Sequence, residues 1–321
     1  MNTVKSNPVK QKLGGIKPFP GISSNPTIAL IKKTFIFDIC TLKRLIISVF
    51  FMLLVPTLIF AFMPQRTLSG EESLLEAGGL GFVTWYYSFS IMFPMIIIGS
   101  TGPLISEELK TRTMLFLVSK PINRTRIVLA KFIALFLFGM VVSFSSLSFI
   151  CIIAVIKYPF TDIFAYLGMN FLYSLVLIFF FGGMTMGLSS IFKRPRNVLL
   201  LPLALVIFSF LVFMMFKPML IGYGYGVDRY EKYALYNYDI GYHFANIFMW
   251  IAESFVPEIW DYLGMIFYIF GITKVDYSDP EFEYTITNYY HPVASLIYLI
   301  VIAGLILIIG IIILKKRDIS G

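Results

Sequence analysis

Ionisable side chains are scarce in this 321-residue sequence, and six long stretches have none at all. Charged residues make up 14% of the chain, against about 25% in soluble domains. Leu45–Met63, Phe82–Ile105, Phe132–Ile156, Ile163–Phe192, Asn197–Phe216 and Val293–Leu314 contain no Asp, Glu, Lys, Arg or His. Such groups inside a bilayer mark proton relays, ion-coupled carriers and intramembrane enzymes. Their absence argues against an ion-driven secondary transporter and against an embedded hydrolase that needs a histidine or paired carboxylates. Cysteine is equally sparse. Cys40 and Cys151 lie far apart in no metal-type spacing, which leaves neither a disulfide framework nor a zinc site and reads both as packing residues. His243 and His291 are nearly fifty residues apart. Despite acidic neighbours such as Asp239 and Glu253, they read as solvated or hydrogen-bonded rather than as metal ligands. No G-x-x-x-x-G-K-[ST] loop is present to cradle ATP phosphates. The glycine-rich Gly222–Gly226 lacks the following Lys-Ser/Thr and reads as a flexible turn. The chain therefore offers no catalytic residue, no cofactor-binding residue and no metal ligand.

What is abundant is apolar side chain. The hydrophobic share is 58%, above the roughly 45–50% of soluble proteins. It is concentrated in those same six stretches, each near or above the ~20 residues that cross the hydrocarbon core. The fold class is all-α integral membrane with six transmembrane helices. Pro56, Pro94, Pro103 and Pro202 fall within spans and predict kinks rather than breaks.

The stretch before Lys32 is interrupted by Pro18, Pro20 and Pro26 and has no signal-peptide core, so the N-terminus is expected to stay in the cytoplasm. With that start, 20 of the 26 Lys and Arg residues fall on the inner side and 14 of the 18 Asp and Glu residues on the outer. The positive-inside rule gives the same orientation. The expected location is the cell membrane, multi-pass, with both termini cytoplasmic. The net charge of +8 is then an orientation signal and not a nucleic-acid footprint.

Residues 1–44 form a cytoplasmic N-terminal segment. Within it Asn25–Arg44 mixes Ile28, Leu30, Ile31, Phe35, Ile39 and Leu42 with Lys32, Lys33, Lys43 and Arg44, the mix of an interfacial helix lying on lipid headgroups. Residues 45–314 form the transmembrane domain and 315–321 a cytoplasmic tail. Between spans five and six lies an external segment, 217–292, rich in Tyr, which reads as an interfacial aromatic belt. Its apolar part Tyr242–Gly271 is split by Pro257 into halves of about 15 residues, each too short to span. It is expected to form external re-entrant or interfacial helices, with a transmembrane pair as the remaining option.

The cytoplasmic segment 106–131 (SEELKTRTMLFLVSKPINRTRIVLAK) carries the most information. Ser106 can cap a helix with Glu107 and Glu108 in its first turn and Glu108 paired to Arg112 at i,i+4. The apolar run Met114–Val118 follows, and Ser119-Lys120-Pro121 stops the helix before Asn123 caps the next. An apolar knob on a charged loop wants a partner groove.

At these residues the sequence resembles the ABC-2 type permeases, the membrane subunits of ATP-binding-cassette transporters. In that family an acidic start, a Gly/Thr-type turn, an apolar run, Pro-x-x-Arg and a Lys entering span three join the second and third spans. Glu107/Glu108, Thr111-Arg112-Thr113, Leu115–Val118, Pro121–Arg124 and Lys131 follow that order, with Arg112 where the family often has Gly. Lys131 is equally explained by snorkelling at a span's end. Gly187–Arg196 (GLSSIFKRPR) matches at the turn between spans four and five. The resemblance implies that the loop is a coupling helix docking into a separate ATPase subunit, with Glu107, Glu108, Thr111, Arg112, Leu115, Leu117, Pro121 and Arg124 as docking positions. It further implies an external gate before span six, with candidates Glu253, Pro257, Glu258 and Asp261. ATP and Mg would reside on the partner, this chain would not itself be an enzyme, and it would pair as a homodimer or with a related permease among membrane lipids.

Two other functions fit the composition. One is a non-transporting subunit that relays force from an ATPase partner to an external protein, disfavoured because 217–292 is short and lipid-seeking. The other is a membrane-embedded transferase acting on lipid-linked substrates, for which Glu253, Glu258, Asp261 and His243 are the available groups.

Overall fold

The computed structural model describes residues 26–62, 79–114, 123–157, 163–221, 228–257, 259–264, 266–275 and 284–317. Six helices are long and apolar enough to cross a bilayer. They are span one (Leu42–Phe62), span two (Gly79–Lys110), span three (Arg124–Ile156), span four (Ile163–Ile191), span five (Pro195–Ile221) and span six (Pro292–Lys316). Each coincides with one charge-free stretch, and all but span four overrun at least one of its ends. Spans two and three, at 32 and 33 residues, are about 48–50 Å long, well beyond a ~30 Å hydrocarbon core. Their ends therefore carry charge, with Glu107, Glu108 and Lys110 on span two and Arg124, Arg126 and Lys131 on span three. Because six is even, span one begins on the face where span six ends; we call this the proximal face and the opposite one distal.

Burial divides the bundle. In span two 72% of the apolar stretch is buried, in span three 56%, while spans one and five reach 28% and span six 17%. Spans two, three and four form the core, and the other three present broad apolar sides outward. Polar side chains inside the bundle bond across helices, as lipid offers no alternative partner. Ser88 Oγ donates to the Met52 carbonyl at 2.7 Å, Tyr166 Oη to Thr84 Oγ1 at 2.6 Å, and Tyr86 Oη to the Phe210 carbonyl at 2.8 Å.

Helix regularity is interrupted by wide π-turns at Thr84–Met92, Ile178–Gly182 and Phe208–Val212. Pro56 and Pro202 sit inside α-helix. Pro94 and Pro103 each open a new helical segment, where the missing N–H costs nothing. Ahead of span one, Pro26–Lys33 and the π-turn Thr34–Ile39 bury Leu30, Thr34 and Ile39 and pack on span three. Ile28 and Phe37 remain exposed on the opposite side.

The segment between spans five and six is neither a transmembrane pair nor two matching halves. Asp239 starts the outer helix Ile240–Phe255 by accepting from the Tyr242 N–H at 3.1 Å, and extended Val256 ends it before Pro257. Its 16 residues reach about 24 Å, short of a crossing. Beyond Pro257 lie a short helix, Ile259–Leu263, and a 3₁₀ turn, Ile266–Phe270. Then strands Thr273–Val275 and Tyr284–Ile286 pair antiparallel with Lys274 opposite Thr285, a ribbon the all-α expectation omitted. An aromatic cluster locks this cap onto the bundle. Trp85 of span two is fully buried, with ring centroids of Phe248, Phe267 and Phe270 at 5.1, 4.7 and 4.8 Å.

Candidate functional site

The charged proximal end of span two is not a helix of its own. Ser106 was expected to cap a new helix, but it lies within Pro103–Lys110, and its hydroxyl donates back to the Gly102 carbonyl at 2.6 Å. The true start of this segment is Gly102–Pro103, and its free N–H groups are met from another helix. Ser189 Oγ of span four accepts from the Ile105 and Ser106 amides at 3.2 and 3.0 Å and donates to the Gly102 carbonyl at 2.9 Å. A side chain of span four thus performs the capping that a local serine would otherwise supply.

Glu108 does not pair with Arg112 either. Its carboxylate meets Lys131 of span three at 2.5 Å, and the same ammonium donates to the Leu104 carbonyl at 2.5 Å. Lys131 is 1% exposed and does not reach for the surface as a snorkelling lysine would. Arg112 is carried off the helix face because its own backbone is left-handed, φ 60°. Glu107, Lys110, Thr111, Arg112 and Thr113 form an exposed elbow. It is held by the Thr111 hydroxyl, which donates to the Glu107 carbonyl at 2.8 Å. A cleft of about 280 Å³ between this elbow and the segment ahead of span one is lined by Asp38, Arg44, Glu107, Glu108 and Lys131 among others. Leu115, Leu117 and Pro121 lie outside the described residues.

Arg124, at the start of span three, spends its Nη1 on the end of span six, donating to the Leu314, Lys315 and Arg317 carbonyls at 2.9, 3.2 and 2.7 Å. Arg317 does the same for span four, through Ser190 and Ile191 at 3.4 and 2.6 Å. Both guanidiniums satisfy orphan carbonyls at the negative end of a helix dipole. Just inside, spans four and six touch backbone to backbone. A Cβ on Gly187 would stand 2.4 Å from the Ile306 carbonyl oxygen, and one on Gly310 2.4 Å from that of Gly187.

The distal face has a second buried ion pair. Lys217, expected in an outer loop, is inside span five with no exposed surface. It pairs with the Asp239 carboxylate and donates to the Phe270 carbonyl at 3.0 Å. Tyr230 Oη donates to Asp239 at 2.8 Å. Nearby, Lys274 is clasped by Asp228 and Glu231 at 2.8 and 2.5 Å. Burial alone would lower its pKa, but hydrogen bonds to those carboxylates hold it above the ordinary value. His243 is fully buried, with Nδ1 3.0 Å from Ser295 Oγ. Desolvation pushes the imidazole down to about 4.

Of the expected gate positions, Glu253 is exposed on the outer helix and Pro257 follows its end. Glu258 and the side chain of Asp261 lie outside the described residues. Four functional groups escaped the sequence reading: Ser189, Gly310, and Lys217 with Asp239. A signal existed for Lys217, since the apolar run resumes past it through Ile221. For Lys131, a spacing of seven from Arg124 puts both on one helix face.

A model of the family described as ABC-2 family transporter protein matches residues 28–319. A search of curated proteins returns no match.

Proposed function

The chain belongs to the ABC-2 transporter family and is a permease-type membrane subunit; from that premise we infer that it is driven by a separate ATPase through the elbow after span two. The observation that carries this reading is the way the elbow is fastened. Glu107 and Lys110–Thr113 are exposed, yet the helix that carries them is joined to span three by Glu108–Lys131 and to span four by Ser189. A push on the elbow is passed to the buried core of the bundle rather than absorbed by a free loop. The partner supplies ATP, Mg and hydrolysis, and it sits on the proximal, Lys- and Arg-rich face, which the positive-inside rule puts in the cytoplasm.

Two copies, or one copy with a related permease, enclose the pathway. Spans one and five leave Phe50, Leu58, Leu200 and Phe208 exposed for lipid or a second subunit to cover. ATP-driven closure of the ATPase pair shifts the packing of spans one, two and five and switches access across the bilayer. The distal cap, sealed by the cluster around Trp85, is the gate that this motion opens.

The test replaces Leu115 and Leu117, which follow the elbow in sequence, with Asp in a permease co-expressed with its cognate ATPase. We expect the ATPase to be lost on purification while the permease itself elutes and unfolds as before. Undiminished co-purification would refute docking at this loop.

A further inference from the structure

The distal cap contains a cavity of about 270 Å³, near the lower edge of the ~300–1,000 Å³ of small-molecule sites. One wall is a stripe of the outer helix, where Asn246, Trp250 and Glu253 recur at i, i+4 and i+7 and so share a face. Trp260, from the short helix after Pro257, lines it too, as do Ile272, Thr287 and His291.

The lining carries one carboxylate, Glu253, and no lysine or arginine. Both N–H groups of Asn246 are spent, on the Tyr290 carbonyl at 2.9 Å and Ser295 Oγ at 3.1 Å, leaving its carbonyl oxygen. The Thr287 hydroxyl proton is shared between the Gly271 and Ile272 carbonyls at 2.7 and 2.9 Å, leaving oxygen lone pairs. His291 Nδ1 accepts from the Val293 N–H at 3.3 Å, which keeps that nitrogen unprotonated to cap span six. Glu253 makes no ion pair among the described residues, and Lys217 and Lys274 on the same side of the bundle are each committed to other carboxylates. Trp250 is 37% exposed, so its indole is open to an occupant. An unpaired carboxylate with no basic side chain in the lining and two indole rings beside it make the pattern that attracts a cation.

We propose that this cavity binds a small organic ammonium, with the nitrogen at Glu253 and the hydrocarbon portion against Trp250 and Trp260. The proposal concerns the distal cap alone and does not rest on how the proximal elbow is driven.

The chain has three tryptophans. Two line the cavity and the third, Trp85, is fully buried. Intrinsic fluorescence of the full-length protein in nanodiscs is therefore a local reporter. Titration with 2-phenylethylammonium is expected to give a saturable change that 2-phenylethanol and methyl glucoside do not. E253Q, an exposed substitution that leaves the fold intact, should weaken binding about tenfold or more. Trp85→Phe should leave the affinity unaltered, whereas Trp250→Leu should abolish the change. No saturable response to the amine, an equal response to the alcohol or glucoside, or unchanged affinity in E253Q would each overturn the assignment.

Discussion

Replacing Asp239 with Asn changes one atom and tests whether the distal cap is held by charge. The amide retains an oxygen that can accept the Tyr242 N–H, so the outer helix keeps its cap. What it loses is the anionic partner of Lys217, which has no exposed surface and keeps the Phe270 carbonyl and the ring faces of Phe213, Tyr230 and Phe270. An ammonium left unpaired at such a site costs about 3–5 kcal/mol. At roughly 2 °C per kcal/mol for a chain of this length, the unfolding midpoint should fall on the order of 5–10 °C. Asp239→Ala also forfeits the cap, adding about 0.5–2 kcal/mol. Pairing D239N with Lys217→Met removes the stranded charge and fills its space with an apolar chain of similar length, so the double variant should recover most of the loss. The assay is thermal unfolding in detergent, read by a thiol-reactive dye at Cys151, which is 6% exposed in the fold. If D239N unfolds within about 1 °C of the parent, or the double variant is as weak as the sum of the singles, the buried-charge reasoning fails.

Gly310→Ala pushes a methyl group to 2.4 Å from the Gly187 carbonyl oxygen, and separating the two backbones should cost about 2 kcal/mol or more by the same dye assay. Arg112→Gly relieves the φ 60° strain and should be neutral to about 1 kcal/mol stabilising, whereas Arg112→Val should destabilise by about 1–2 kcal/mol. Burial lowers His243 from 6.5 to about 4, with Asp239 and the Asn237 carbonyl opposing and Lys217 assisting the shift. Between those values the unfolded chain binds the extra proton. Stability is therefore full above pH 6.5 and falls toward pH 4 by roughly 3 kcal/mol in total, which His243→Phe should abolish in a pH series of unfolding midpoints.

The six spans were readable because the bilayer demands long charge-free stretches, and no tertiary detail can shorten that demand. That Glu107, Glu108 and Lys131 lie at the charged ends of spans two and three was readable from the same pattern. The pairing of those features was not. A sequence reading ranks Arg112 as the partner of Glu108 because helical neighbours are counted first, yet an exposed i,i+4 pair is worth only about 0.3–0.5 kcal/mol. Lys131, buried beside Glu108, makes no other ion pair among the described residues, so the pairing goes to the lysine. Lys217 was misplaced by the habit of ending a membrane helix at its first cation; Asp239, twenty-two residues on, supplies the countercharge that lets the helix run on. Ser189 looked like one of two serines in a loose motif, and only the Gly102–Pro103 junction of another helix reveals what it serves.

Gly187 and Gly310 also limit how this bundle can move. Two helices separated by ordinary side chains can repack by rotamer changes and slip against each other, but main chains in direct contact have nothing to rearrange. Displacing span six along span four by even one residue would drive a side chain into space only hydrogen can occupy. Those two helices behave as a single post, braced at its foot by Arg317, and whatever rocks during turnover must swing around it.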